Sequence, residues 1–357
     1  MAMTSEDYWV QRAEERETEW HKKSQQTIEQ ELFNAYRESL GRIQTEIAAL
    51  YGRYAKDNKL TVPEARKMLT GNEYRDWRMS LEQYVAAIKQ TGDPGLLKEL
   101  NTLAMRSRIS RLDKLYSDIL VEFDRLGRKT DGQMDDFLSD AYKDNYYRGL
   151  YDIGQKWHIK QPVAKATTES VENVLRTPWS GKNYSERIWN NTQQLTCVLQ
   201  DEIVASIHRG DSIQKMAKTI ENRMDVGHNN VVRLVRTELN YVQNQAAMDS
   251  IAESGMKYYT FIATLDHRTS QICRSHDRHV YPVADAQPGT NVPPLHPNCR
   301  STISGSLTDE PGSSTGARIG RDKNGKSIHV PANMTYDDWQ AIYIEQTMTF
   351  TQWKKGR

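Results

Sequence analysis

Apolar residues between positions 28 and 54 recur at steps of three or four, the spacing of one face of an α-helix. They are Ile28, Leu32, Tyr36, Leu40, Ile43, Ile47, Leu50 and Tyr54. Because no proline interrupts residues 1–60, the pattern predicts a long helix with a heptad-like apolar seam, about 70 Å if it is unbroken. Gly41 and Gly52 count against an unbroken rod, since glycine weakens helices.

Three further helices are predicted before residue 160. The first begins at residues 61–64 (TVPE), a capping box with proline in its first turn, and a turn at residues 92–95 (GDPG) follows it. The second runs from Leu97 to Gly127, and the third ends near Leu150. Amphipathic helices of this kind either form a docking arm that lays its seam on partner proteins or pack into a bundle of their own.

The second half of the chain begins after a polar connector at residues 161–170. Its predicted helices cover residues 171–176, 184–199, 201–208, 212–223 and about 227–253. The segment 257–265 (KYYTFIATL) is rich in aromatic and β-branched residues, which predicts a strand. Residues 279–283 and 301–306 can pair with that strand to form a small sheet.

The C-terminal part combines a linker-like composition with one more amphipathic pattern. Residues 306–332 are rich in Gly, Ser and Lys, which predicts a flexible linker, and residues 334–345 predict a helix around Trp339. The predicted fold is mainly α: an extended N-terminal helical region, then a small α+β domain with a short β-sheet and a Pro/Cys/His-rich loop. The predicted segments are a helical docking region at 1–160, the α+β domain at 161–305, and a flexible Gly/Ser-rich linker with a C-terminal helix at 306–357.

Composition and charge exclude several classes of protein. The 357 residues hold 48 Lys+Arg against 47 Asp+Glu, so a globally basic nucleic-acid binder is excluded and only a local basic patch remains open. No stretch is apolar enough for a membrane span, and residues 1–15 lack the apolar core of a signal peptide. The three cysteines are too few for a disulfide scaffold, which predicts synthesis in a reducing cytoplasm.

A group of Cys and His residues is the main candidate for chemistry. Cys273-x-x-His276 and His296-x-x-Cys299 lie about twenty residues apart, a spacing that fits a tetrahedral zinc site. Asp277 is the one carboxylate beside the two pairs, so the site is predicted to be structural instead of catalytic. Two alternatives stay open: the cysteines are small buried residues beside surface histidines, or Cys273 and Cys299 form a disulfide.

Enzyme and DNA-binding alternatives depend on weaker patterns. The chain has no H-E-x-x-H motif. Arg233, the Arg236-Thr237-Glu238 run and the charged residues Asp266, Arg268, Asp277 and Arg300 form either an enzyme's acid and anion clamp or structural arginine forks. His296 and Asn298 could serve a metal-dependent nuclease. A DNA-binding patch would use Arg274, Arg278, Arg300, Arg318, Arg321, Lys323 and Lys326.

Several unusual short sequence motifs occur in a fixed order between residues 236 and 300. They are Arg236-Thr237-Glu238, Thr264-Leu265-Asp266-x-Arg268-Thr269, Ile272-Cys273, Asp277, Val280-Tyr281, Gly289 and the run from Pro293 to Arg300 (PPLHPNCR). In these motifs the chain resembles the tailed-phage minor head protein or head morphogenesis family, the phage Mu F-like proteins, over about residues 179–304. More loosely, Tyr8-Trp9-x-x-Arg12, residues 51–59 and Tyr336-x-x-Trp339 resemble minor capsid proteins of phages that infect Gram-positive bacteria.

The resemblance implies a virion component and no enzyme. Such a protein is made in the host cytoplasm and docks on the portal protein inside the procapsid, beside the major capsid or scaffold protein. There it assists head assembly, DNA packaging or ejection, with phage DNA as a further partner and no membrane in the assembled head. Ser270 and Ser301 stand where many family members have Cys, so His276 and His296 would have to complete a four-ligand zinc set here.

Overall fold

The computed structural model describes residues 4–57, 111–157, 165–209, 211–310 and 316–355. Its helices are α1 (Ser5–Gln26), α2 (Ile28–Asp57), α3 (Arg111–Trp157), α4 (Thr168–Arg176), α5 (Tyr184–Arg209), α6 (Ile213–Glu253), α7 (Gln271–His276), α8 (Tyr336–Trp339) and α9 (Phe350–Lys355). The strands are β1 (Tyr258–Ile262), β2 (Val280–Pro282), β3 (Thr302–Ser306), β4 (Ala317–Arg321) and β5 (Ser327–Pro331). The prediction of a mainly α fold with a short sheet is confirmed. The helix predicted to begin at residues 61–64 and the turn at 92–95 lie outside the described residues.

The long N-terminal helix is broken at Thr27 and not at its glycines. Thr27 has φ −118° and ψ −90°, and both its backbone N–H and its hydroxyl donate hydrogen bonds to the Lys23 carbonyl. These two bonds close α1, while Gly41 and Gly52 lie within α2. The prediction of one continuous helix is therefore wrong at a position where a threonine side chain competes for the backbone.

Other glycines and turns expected to end helices lie inside longer ones. Residues 127–132 are part of α3, the expected gap near residue 200 is part of α5, and Gly227 is part of α6. A Cβ at Gly127 would stand 2.9 Å from the Trp189 ring, and one at Gly227 would stand 2.7 Å from Leu195. Both glycines thus serve close packing between elements, and the helices continue through them.

The chain divides into two compact units. The first consists of Met1–Glu29, Met134–Tyr184 and Arg233–Arg357, and the second of Gln30–Gln133 and Ser185–Val232. Residues 161–164 of the predicted connector at 161–170 lie outside the described ranges. The segment boundaries predicted from sequence therefore stay a prediction.

The second unit buries the apolar seam of α2. Leu32, Leu40, Ile43, Ile47 and Leu50 are each no more than 4% exposed. A buried carboxylate reinforces this packing, because Glu122 on α3 accepts hydrogen bonds from Ser39 and Arg42 on α2. The seam forms the unit's own core, which favours the bundle interpretation of these stripes.

The first unit contains an antiparallel sheet in the order β2-β1-β3. Tyr259 at its centre pairs with Tyr281 on β2 and Gly305 on β3. Helix α1 packs on β3 and β4. Its Trp9 is buried and donates a hydrogen bond to the Asp152 carbonyl on α3.

A β-hairpin replaces most of the predicted flexible linker. β4 and β5 pair antiparallel from Ala317↔Pro331 to Arg321↔Ser327. Arg318 is only 1% exposed and joins Asp277 through two N–O distances of 2.9 Å. The linker prediction is wrong for this segment because buried contacts with distant residues order it.

The predicted C-terminal helix is present and packs on the hairpin. It consists of α8 and a π-helical turn at Gln340–Ile344, and Thr335 caps it in a reciprocal capping box with Asp338. Trp339 is fully buried and donates to the Arg321 carbonyl. Among the described residues, no helix is both long and apolar enough to cross a membrane.

Candidate metal centre

Two short backbone structures position the cysteines of the candidate site. Ser270 caps α7 by accepting a hydrogen bond from the Cys273 amide at 3.3 Å, which places Cys273 on the first turn of the helix. The Cys299 amide donates to the His296 carbonyl at 3.2 Å, a tight turn that contains Asn298 at φ +58°. Both cysteines are at most 2% exposed and pack with Phe261. The sequence thus forms two knuckles on one side of the sheet.

These knuckles bring three of the four predicted ligands together. The Cys273 Sγ lies 3.2 Å from His296 Nε2 and 3.6 Å from Cys299 Sγ. All three donor atoms lie within 4.8 Å of one another. The two cysteines are not bonded to each other in this structure, which therefore does not contain the alternative Cys273–Cys299 disulfide.

The spacing of the donors matches the edges of a tetrahedral zinc site. Zn–S bonds of about 2.3 Å and Zn–N bonds of about 2.05 Å at tetrahedral angles give S–S edges of about 3.8 Å and S–N edges of about 3.6 Å. The observed distances are 3.6 Å for S–S and 3.2 Å for S–N. Adjustments of a few tenths of an ångström would therefore admit the ion.

The electrostatics of the group favour a thiolate at Cys273. The hydrogen bond from Cys299 lowers the pKa of Cys273 to about 6, with smaller contributions from the Ser270 and Ser301 hydroxyls. Donating that same bond, together with burial, raises the pKa of Cys299 to about 12. A preformed thiolate is the protonation state in which cysteine binds metal.

His276, the fourth predicted ligand, does not join this group. Its Nδ1 lies 2.8 Å from the Tyr281 hydroxyl, and its ring packs against Phe261. Burial, with a smaller effect of the neighbouring His279, lowers the pKa of His276. The structure therefore assembles two cysteines and one histidine, and His276 takes part in a different cluster.

A polar stripe on α6 holds the second knuckle in place, and sequence reasoning missed it. Thr237 Oγ1 accepts a hydrogen bond from the Asn298 amide at 3.0 Å. Asn240 and Asn244 both donate to the Ser301 carbonyl, at 2.9 and 3.3 Å. Buried polar residues at steps of three and four among apolar ones were the signal for this stripe, because such residues need partners.

The charged residues around the site form structural ion pairs. Asp266, which is fully buried, pairs with Arg300, and Asp277 pairs with Arg318. Arg236 is held by both oxygens of Glu29. This pattern agrees with the arginine-fork interpretation, because each pair ties a loop or strand to a neighbouring element.

Much of the predicted basic patch is also engaged inside the protein. Arg274 lies over the Tyr336 ring, 3.9 Å from its centroid, and donates to the Thr269 carbonyl. Arg278 donates to the Ala332 carbonyl, and Arg318 is buried. These side chains are therefore committed to internal contacts instead of forming an open cationic surface.

Comparison with known families identifies the part of the chain that holds the site. Residues 198–304 match a family model described as Phage Mu protein F like protein. This segment is a phage Mu F-like domain. The Mu F-like domain includes all of α6, strands β1 and β2, the first three residues of β3 and both knuckles of the candidate metal centre. The family predicted from the sequence is thus confirmed.

One curated relative is more distant. The NAD(+)–arginine ADP-ribosyltransferase EFV of Enterococcus faecalis (strain ATCC 700802 / V583) is 20% identical over 172 residues, which cover 47% of this chain and 35% of that protein. The chain thus spans about a third of that relative's length, and the named activity belongs to the relative. No solved structure is significantly similar to this chain.

Proposed function

We propose that this protein is a minor capsid or head morphogenesis protein of a tailed bacteriophage, which docks on the portal protein inside the procapsid. In this role it assists head assembly, DNA packaging or ejection, beside the major capsid or scaffold protein. The match of residues 198–304 to the Mu F-like family carries this proposal. The family also favours a structural component over an enzyme.

The internal packing agrees in kind with a structural role. Acidic and basic side chains near the Cys/His group form ion pairs with each other, such as Asp266–Arg300 and Asp277–Arg318. A general acid or base must instead reach a substrate. The proposed work of the chain is therefore binding to other head proteins.

Genetic removal of the chain tests this proposal. A phage whose gene carries an early stop codon would be grown with and without a plasmid that supplies the wild-type chain. We expect a loss of infectious particles that the plasmid restores, and procapsids in which wild-type chain cross-links to portal protein. Normal assembly, packaging and infection without the chain would contradict the proposed role.

We further propose that Cys273, His296 and Cys299 hold a structural zinc ion within the Mu F-like domain. The donor distances given above fit the ion, and both thiols are already withdrawn from water. The bound ion would fasten α7 to the 293–300 loop, which contains three prolines and whose backbone joins neither a helix nor a strand. Metal coordination can supply folding free energy where such a loop has little core.

Metal analysis with matched cysteine variants tests the zinc proposal. We expect about one zinc per purified wild-type chain and a loss of that zinc in Cys299→Ser. Cys197→Ser is the control, because Cys197 is exposed and is not part of the group, and it should keep the ion. Less than about a tenth of a zinc per wild-type chain would sink the proposal.

A further inference from the structure

A second cluster of metal-binding side chains lies on the β2 side of the sheet. The sequence His276-Asp277-Arg278-His279-Val280-Tyr281 places two imidazoles and one phenol within six residues. His276 Nδ1 lies 2.8 Å from Tyr281 Oη, and His279 Nδ1 lies 3.4 Å from the same oxygen. Two ring nitrogens therefore converge on one hydroxyl. We call His276, His279 and Tyr281 the His/Tyr cluster.

The backbone fixes the shape of the His/Tyr cluster. Arg278 adopts φ +65°, and its amide donates to the Phe261 carbonyl at 2.8 Å. Asp277 accepts a hydrogen bond from the Ala263 amide and is paired with Arg318. This tight turn brings His276 and His279 to the same side of the chain, and β2 pairing holds Tyr281 opposite Tyr259.

The distances within the cluster are those between neighbouring ligands of one metal ion. With bonds of about 2.05 Å, neighbouring N and O ligands lie about 2.9 Å apart at right angles and about 3.3 Å apart at tetrahedral angles. The observed separations from Tyr281 Oη are 2.8 Å and 3.4 Å. Both separations that involve the Tyr281 oxygen therefore match those of ligands bound to one ion.

The cluster also remains accessible to solvent. His279 is exposed, and His276 and Tyr281 are partly exposed. Imidazole is a good ligand for Zn²⁺, Cu²⁺ and Ni²⁺, whereas Mg²⁺ and Ca²⁺ prefer oxygen ligands. The donor set therefore selects a borderline divalent transition-metal ion.

We propose that His276, His279 and Tyr281 form a second metal-binding site, separate from the Cys/His group, that takes a divalent transition-metal ion. On binding, both imidazoles supply the lone pair of Nδ1, and the phenol oxygen exchanges its proton for the ion. Solvent completes the coordination. The site explains why His276 stands apart from Cys273 despite its zinc-like spacing.

Titration with Ni²⁺ tests the site in the full-length protein. Binding would be followed by calorimetry, and absorbance would report sulfur-to-nickel charge transfer if the cysteines take the ion. We expect binding without that charge transfer, and a loss of affinity of at least about tenfold in His279→Ala. His279 is chosen because it is exposed, so its removal should leave the fold intact.

Two control variants distinguish this site from other sources of binding. His329→Ala removes another exposed histidine, on β5, and should leave Ni²⁺ affinity unchanged. Cys299→Ser should also leave it unchanged, whatever that variant does to zinc. Unchanged affinity in His279→Ala, or loss of Ni²⁺ binding in Cys299→Ser, would overturn the proposal.

Discussion

The buried Arg318–Asp277 pair provides the sharpest test of how the Mu F-like domain and the C-terminal hairpin are joined. The Arg318 side chain is 2% exposed and that of Asp277 is 6% exposed. Besides two bonds to Asp277, Arg318 donates to the Ala263 carbonyl at 2.6 Å. Arg318→Met keeps most of the side-chain volume and removes every one of these donors.

The expected loss of stability comes from the two buried carboxylates that lose the Arg318 guanidinium. Asp277 would keep its hydrogen bond from the Ala263 amide but lose its counter-charge, and Glu14, 3.6 Å from Arg318 Nε, would lose its cation as well. Removing one partner of a buried ion pair costs about 3–5 kcal/mol. At 1.4 kcal/mol per factor of ten, that corresponds to a roughly 10²- to 4 × 10³-fold change in an opening equilibrium.

Native-state hydrogen exchange on peptides covering β4 would measure this change. We expect protection in Arg318→Met to fall by about 10²-fold or more, and Asp277→Asn combined with Arg318→Met to cost less than the sum of the two single changes. Arg176→Met is the control, because Arg176 is 78% exposed and lies 4.0 Å from its partner Glu172. A tenfold or smaller loss at β4 would refute the reasoning.

Two further predictions concern buried acids and helix glycines. Burial raises the pKa of Glu17 to about 7. The protonated Glu17 carboxyl therefore contributes fully to the free energy of unfolding below its ordinary pKa of 4.5, and this contribution is lost as the pH rises through 7. From pH 6 to pH 8 the wild type should lose about 1 kcal/mol more unfolding free energy than Glu17→Gln, and equal pH profiles in denaturant titrations would contradict this. Gly132→Ala should stabilise by about 0.5–1 kcal/mol, because a Cβ there meets nothing within 4 Å, whereas Gly227→Ala should destabilise by about 1–3 kcal/mol through its contact with Leu195. The same sign for both in thermal unfolding would contradict the packing described.

Helices and strands were predictable from local patterns, but their ends were not. The seam of α2 and the aromatic strand β1 both lie where periodicity and composition place them. Helix ends depend on tertiary contacts instead: the glycines at 127 and 227 make room for Trp189 and Leu195. A single sequence cannot distinguish such a glycine from one that ends a helix.

The hairpin was hidden by its composition. Gly, Ser and Lys around β4 and β5 are typical of linkers, and an arginine is normally read as exposed. Arg318 is buried in an ion pair with Asp277, which lies 41 positions earlier in the chain. Long-range charge pairing of this kind leaves no local signal.

The candidate site was predictable as far as spacing allows. Cys273, His296 and Cys299 converge because each cysteine begins or ends a tight turn beside the sheet. Spacing alone could not show that His276, at the end of α7, contacts Tyr281 instead. The sequence distance between ligands is informative, but the direction of a side chain depends on the turn that carries it.

The position of the chain in the phage head tests the proposed function most directly. Procapsids and mature particles would be purified, the chain quantified by mass spectrometry, and its location determined by cryo-electron microscopy with a label at one terminus. The proposed function predicts a few copies per procapsid, inside the shell and in contact with the portal. Absence of the chain from procapsids would contradict it.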